Sequence, residues 1–153
     1  MPVEPLNLDL KTMLEELIPF NKLLGVRLVS TDAAAGRLVM KLPLRAELNG
    51  NAYRGMVHGG AVSALIDAAA GGAAALQLPD LQEALAVATI DMRVDYLEPG
   101  RGEFLTAEAQ VVRCGRRVIV IRIDVSDPNG TLVAIGTATF SRPTPPRPAL
   151  GPA

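Results

Sequence analysis

The chain contains one cysteine, one histidine and no tryptophan, and aromatic residues make up 3% of its 153 positions. The lone Cys114 excludes an intramolecular disulfide and fits a reducing compartment, so a cytoplasmic location is expected. One His and one Cys nearly exclude a protein-only zinc site of the usual N/S kind, and no metal is expected. Scarce aromatics leave Val, Leu, Ile and Ala to build the core, within a hydrophobic content of 49%. A formal net charge of −1 gives no electrostatic case for nucleic acid or an anionic membrane surface. Met1-Pro2-Val3-Glu4-Pro5 has no basic stretch leading into an apolar one, so no signal peptide is expected. No Gly-rich phosphate loop of the Walker or dinucleotide type occurs, so ATP and NAD are not indicated.

What is present suits a single domain over residues 1–141, whose first 24 residues form an N-terminal helical segment. Residues 142–153 are dominated by Pro and Ala and are expected to be a disordered tail. Between Asn7 and Ile18, Leu10, Met13, Leu14 and Leu17 fall at helical spacing until Pro19 stops the run. Two strands follow, Val26 to Ser30 and Arg37 to Leu42, with a turn at Asp32 and Gly36; residues 43–57 read as loop. After an Ala-rich helix and a break at Pro79-Asp80 come four strand-like runs. In the first, Val87 to Glu98, Ile90, Met92, Val94 and Tyr96 share one face, while Asp91, Arg93 and Asp95 share the other. The remaining runs are Glu103 to Val112, Arg117 to Ser126 and Leu132 to Phe140.

Gly59 to Leu78 matches a membrane span in length and carries a single charge, Asp67. A mid-span Asp costs about 2.5–3.5 kcal/mol to insert, and a helix buried on all sides of a globular domain needs the same composition. The buried helix is therefore expected. Strands joined by short turns imply an antiparallel meander, and a helix with no polar face must be enclosed by it. The fold class is α+β, an antiparallel sheet wrapped around one long central helix.

Chemistry concentrates at the start and in the middle of that helix. Gly55-Met56-Val57-His58-Gly59-Gly60 leads into it, and glycines at a helix start leave backbone N–H groups open at the positive end of the dipole. Such a site can receive an oxygen on which charge develops, or the glycines can simply serve a tight turn. Asp67 is a carboxylate alone among Ala, Leu, Ile and Gly, which fits either a hydrogen-bonded structural role or a catalytic one. His58 and Asp67 are nine positions apart, roughly 13 Å along a helix, so they cannot serve one carbonyl from the same chain. Two copies with antiparallel helices would bring each start to the other's Asp67, as an isologous dimer does twice over. His58 is read as an orienting residue of the loop, Ser63 as packing and Cys114 as structural. Arg113, Arg116 and Arg117 surround a turn, either as solvated charge or as a clamp for phosphates.

Asn51, then His58-Gly59-Gly60 and Asp67, then Thr89-Ile90-Asp91-Met92-Arg93-Val94-Asp95-Tyr96 and Gly115-Arg116 together resemble the hotdog-fold acyl-CoA thioesterases of the phenylacetate-pathway (PaaI-like) type. The resemblance runs from Asn49 to Phe140 and implies hydrolysis of an acyl- or aryl-CoA thioester by a homodimer, often paired into a dimer of dimers. It implies Asp67 as general base or nucleophile and the partner subunit's Gly59 N–H as the group polarising the carbonyl. Thr89 would hold the water or Asp67, with His58 and Asn51 completing the catalytic set. In many members the loop Asn lies six residues before the His; here Asn51 lies seven before it, and Asn49 is a second candidate. Tyr96, Arg113, Gly115 and Arg116 fall where the family contacts CoA, and Gly60 and Asp91 join the substrate-binding set. A thioester carries a good leaving group, so water, a base and an oxyanion site suffice and no cofactor is expected. Two rival readings share the fold: an acyl-thioester dehydratase or hydratase, and a non-catalytic acyl-CoA or lipid-binding module.

Overall fold

A computed structural model describes residues 9–51 and 53–143. The tail beyond Pro143 and the first eight residues lie outside this range.

The N-terminal segment is helical but broken. Asp9 caps α1 (Leu10–Thr12) by accepting from the Thr12 N–H at 2.7 Å. The chain then widens into a π-helical stretch, Met13–Leu17. Pro19 ends that stretch and also starts a further helix, α2 (Pro19–Leu24), a use of its preset φ at the first helical position. Glu15 pins the segment to the sheet. It is 7% exposed, and its carboxylate accepts from the Leu28 N–H at 2.8 Å and from Arg27 at 3.2 Å.

Strands β1 (Arg27–Asp32) and β2 (Arg37–Pro43) form a hairpin. The expected loop contains a 3₁₀ turn, Ala46–Leu48, and a small hairpin of β3 (Asn49–Asn51) and β4 (Met56–Val57). Next comes the central helix α3 (Gly59–Ala75), then a short α4 (Leu81–Leu85) that the strand reading passed over. Its signal was in the sequence: Asp80 and Glu83 sit at capping-box spacing, and the Asp80 side chain accepts from the Glu83 N–H. The last four strands are β5 (Ala88–Tyr96), β6 (Phe104–Cys114), β7 (Val118–Ser126) and β8 (Leu132–Ser141). No helix among the described residues is long and apolar enough to cross a membrane.

The six long strands form one antiparallel sheet in the order β1-β2-β6-β7-β8-β5. The meander holds only for β6, β7 and β8. Strand β5 does not neighbour β6; it crosses to the far side of β8 and ends as a sheet edge. The concave face is lined by Ile119, Ile121 and Ile123 of β7 and by small residues such as Ala107, Ala109, Ala134 and Ala138, all fully buried. Those small side chains allow the Ala69-Ala70-Ala73-Ala74 face of α3 to lie close to the sheet.

Enclosure of α3 is incomplete, contrary to expectation. Along one stripe Gly60 is exposed, and Ser63, Ala64, Asp67 and Gly71 are only half-buried. These positions recur at helical spacing, so they form a single open flank. The sheet curves round the helix but stops at β5, and the flank beside that edge is left uncovered by this chain.

Candidate active site

Asp67 lies on the open flank rather than in a closed interior. Its Oδ1 accepts a hydrogen bond of 2.8 Å from the Thr89 hydroxyl. Strict alternation along β5 would point Thr89 away from the helix, together with Asp91 and Arg93. A β-bulge prevents this. Thr89 opposes Phe140 and Asp91 opposes Thr139, so Ile90 is an extra residue. The bulge reverses the side-chain phase, turning Thr89 toward α3 and leaving Ile90 58% exposed.

The start of α3 holds a second group. His58 is the N-cap, and its Nδ1 accepts from the Gly60 N–H at 2.8 Å. That bond places the ring proton on Nε2. The His58 carbonyl receives the N–H groups of Ala61 and Val62. Gly59 N–H is thus the donor of this turn with no partner among the described residues, while Gly60 is committed to the cap. A side chain at either glycine would be crowded. A Cβ on Gly60 would come within 2.9 Å of His58 Nδ1, and one on Gly59 within 3.3 Å of the Tyr96 ring. Tyr96 completes the group, donating its hydroxyl to the Gly59 carbonyl at 3.0 Å and contacting the Ser63 hydroxyl. Ser63, read as packing, is a hydrogen-bonding partner here.

The third group is the β6–β7 turn. Arg113, Arg116 and Arg117 are exposed there with Cys114, around a half-buried Gly115. Arg142, which the sequence reading placed at the start of the tail, joins them. Its N–H bonds to the Arg117 carbonyl at 2.7 Å, and its guanidinium reaches the Gly115 carbonyl at 3.3 Å. One row of the sheet runs through Cys114, Ile119, Phe140 and Thr89. The arginine turn therefore lies three strand spacings, about 14 Å, from Thr89, at the same end of the sheet.

Asn51 and Asp91 are not drawn in. The Asn51 carboxamide accepts from the Tyr53 N–H at 2.9 Å, a local turn contact, although the hairpin that carries it packs on His58. Asp91 is exposed on the side of the sheet away from the helix. Among the described residues, no three His, Cys, Asp or Glu side chains are grouped to hold a metal ion.

Within one chain these groups are split. Asp67, Thr89 and the arginines lie at one end; Gly59, His58 and Tyr96 lie at the other, with Thr89 and Tyr96 separated by most of β5, roughly 20 Å.

The family profile described as "Thioesterase superfamily" matches residues 54–134, a span that includes both ends of this site. The chain belongs to the thioesterase superfamily. At family level this makes it a thioester hydrolase. Among its thioesterase relatives, the medium/long-chain acyl-CoA thioesterase YigI of Escherichia coli K12 is 33% identical over 134 residues, covering 80% of this chain and 84% of the relative. A solved thioesterase-superfamily protein from Shewanella oneidensis superposes with a TM-score of 0.79 at 31% identity, covering 87% of this chain and 92% of that one. The E. coli PaaI protein of the phenylacetic acid degradation operon superposes at 0.70 with 28% identity, covering 82% and 85%. The hotdog thioesterase fold, an antiparallel sheet around a long central helix, is shared with these proteins.

Proposed function

We propose that the protein hydrolyses acyl-CoA thioesters, with Asp67 activating water and Gly59 of the partner subunit polarising the thioester carbonyl. The observation that carries this reading is the Thr89–Asp67 contact on the open flank of α3. There, among the described residues, a carboxylate is held by a single neutral donor, which leaves lone pairs to accept a proton from water.

The second subunit follows from the split geometry. Strand β5 is an unpaired sheet edge, and beside it Ile90, Tyr96 and Leu97 are each about half exposed. An antiparallel β5–β5 contact would extend the sheet across the dimer and cover the open flank of α3. It would also carry each Gly59 toward the other chain's Asp67. The resemblance further implies that two such dimers associate, which a solution mass tests.

The CoA phosphates are assigned to Arg113 and Arg116, with Gly115 shaping their turn and Arg142 adding a fourth guanidinium beside Arg117. Asp91 faces away from Asp67, and no catalytic step is given to it. The exposed thiol of Cys114 suits a reducing compartment, and we place the reaction in the cytoplasm. YigI acts on medium- and long-chain acyl-CoA by its name, which supports an acyl rather than an aryl substrate here. His58 Nδ1 is committed to the Gly60 cap, which counts against a dehydratase using that nitrogen as base.

The test is free-thiol release from a panel of acyl- and aryl-CoA thioesters by wild type, Asp67→Ala and Asp67→Asn. Turnover by wild type that collapses in both variants, with the oligomer intact, supports the mechanism. If Asp67→Ala hydrolyses as fast as wild type, the assignment of Asp67 is wrong. Absence of thiol release from every substrate favours a binding module instead.

A further inference from the structure

Asp67 and Thr89 form one side of a cavity of about 290 Å³, near the lower end of the range for ligand pockets, about 300 Å³ and upward. The cavity passes beneath the N-terminal helical segment at Leu14 and Ile18 and is lined further by Leu85 of α4 and Phe140 of β8. Apart from Asp67 and Thr89, its one polar side chain is Asn21, whose amide donates to the Leu14 carbonyl at 3.1 Å.

Building on the thioesterase reading above, we infer that the acyl tail of the substrate runs from Asp67 into this cavity, and that Gly71 sets the length of tail it admits. Gly71 stands one helical turn beyond Asp67 on the same open stripe, directly along the path a tail takes from the reacting carbon. The two adjacent glycines have different surroundings. A Cβ on Gly72 would meet both Leu14 Cδ1 and Leu38 Cδ1 at 3.0 Å, so that glycine serves the close packing of the core. A Cβ on Gly71 would meet only the Phe140 ring edge, at 3.3 and 3.5 Å, and a longer side chain would extend into the open cavity. The lining selects for hydrocarbon. Beyond Asp67 and Thr89 its walls are apolar apart from Asn21, so each methylene that reaches an apolar wall is worth about fourfold in affinity. A short acyl group leaves the cavity unfilled.

The experiment measures kcat/KM across a series of saturated acyl-CoA substrates, from acetyl to long chains, for wild type, Gly71→Leu and Leu85→Ser. For Gly71→Leu the preferred length moves to shorter tails, and the value for the longest chain falls at least tenfold more than that for acetyl-CoA. Leu85→Ser, at a half-exposed position that gives up little core packing, lowers the long-chain values severalfold. A uniform loss across all lengths, or no change in either variant, overturns the assignment. Calorimetric binding of hydrolysis-resistant acyl-CoA thioethers separates this from the catalytic reading. If wild type turns nothing over yet binds longer thioethers more tightly, and Gly71→Leu abolishes that gain, the tail site stands and the hydrolase reading falls. If affinity does not depend on tail length, the tail site falls whatever the turnover.

Discussion

Thr89 reaches Asp67 only because Ile90 is bulged out of the β5 ladder: the hydroxyl donates to Oδ1 at 2.8 Å from a residue that strict alternation would turn to the opposite face. The hydrogen bond holds the carboxylate in one rotamer without neutralising it. Thr89→Val keeps the branched shape and removes the donor. Losing one hydrogen bond to a charged group costs about 1.5–3 kcal/mol, so kcat is expected to fall roughly ten- to a hundredfold. Thr89→Ser should recover most of it. Thiol-release kinetics check both, and a Thr89→Val enzyme as fast as wild type would remove Thr89 from the mechanism.

Tyr96 discriminates between two roles. The family resemblance sets it against CoA, whereas its hydroxyl here holds the Gly59 carbonyl and the Ser63 hydroxyl. Tyr96→Phe keeps the ring on Gly59 and removes the polar anchor. If its role is to position the first turn of α3, kcat drops severalfold while KM is nearly unchanged. A rise in KM with kcat preserved would assign the hydroxyl to the CoA moiety.

His58 is expected to matter for stability as a cap. His58→Ala removes the acceptor of the Gly60 N–H, and loss of an N-cap costs about 0.5–2 kcal/mol. His58→Asn restores an acceptor at the cap and should recover most of the loss. Chemical denaturation of the three proteins measures this directly.

A pH prediction concerns the convex face of the sheet. Arg37 Nε and Nη2 pair with both Glu108 oxygens at 2.7 and 2.9 Å, and this hydrogen-bonded ion pair holds the Glu108 carboxyl below its ordinary value of 4.5. A carboxyl depressed on folding adds stability above its unfolded pKa and loses it as the pH falls through the lower folded value. Both side chains are about half exposed, so solvent screening keeps the contribution within about 0–1 kcal/mol. Glu108→Gln should therefore melt slightly below wild type at neutral pH, with the difference vanishing under strongly acidic conditions. A gap that widened on acidification would contradict the pairing.

Much of this protein was legible in the residues themselves. The four late strands, the Ala-rich helix and the isolation of Asp67 follow from local hydrophobic periodicity, which backbone geometry reads directly. The nine-residue separation of His58 from Asp67 already kept the two groups from serving one carbonyl within a single chain, because the rise of a helix is fixed.

Other features depended on contacts between segments far apart in sequence. Strand β5 pairs with β8 rather than β6, since an edge is chosen by how the whole sheet closes on α3 and not by any local signal. Glu15 became buried because the Leu28 N–H and Arg27 came to it from β1. Arg142 looked like tail and became part of the arginine turn through a backbone bond to Arg117. The open flank of α3 is marked in the sequence only by Ser63 and Asp67, one turn apart, too sparse a polar stripe among Ala and Gly to separate an exposed face from a buried one. The bulge at Ile90 escaped for a related reason: period-two alternation has no term for an extra residue, and only the register against Phe140 and Thr139 shows that Thr89 turns inward.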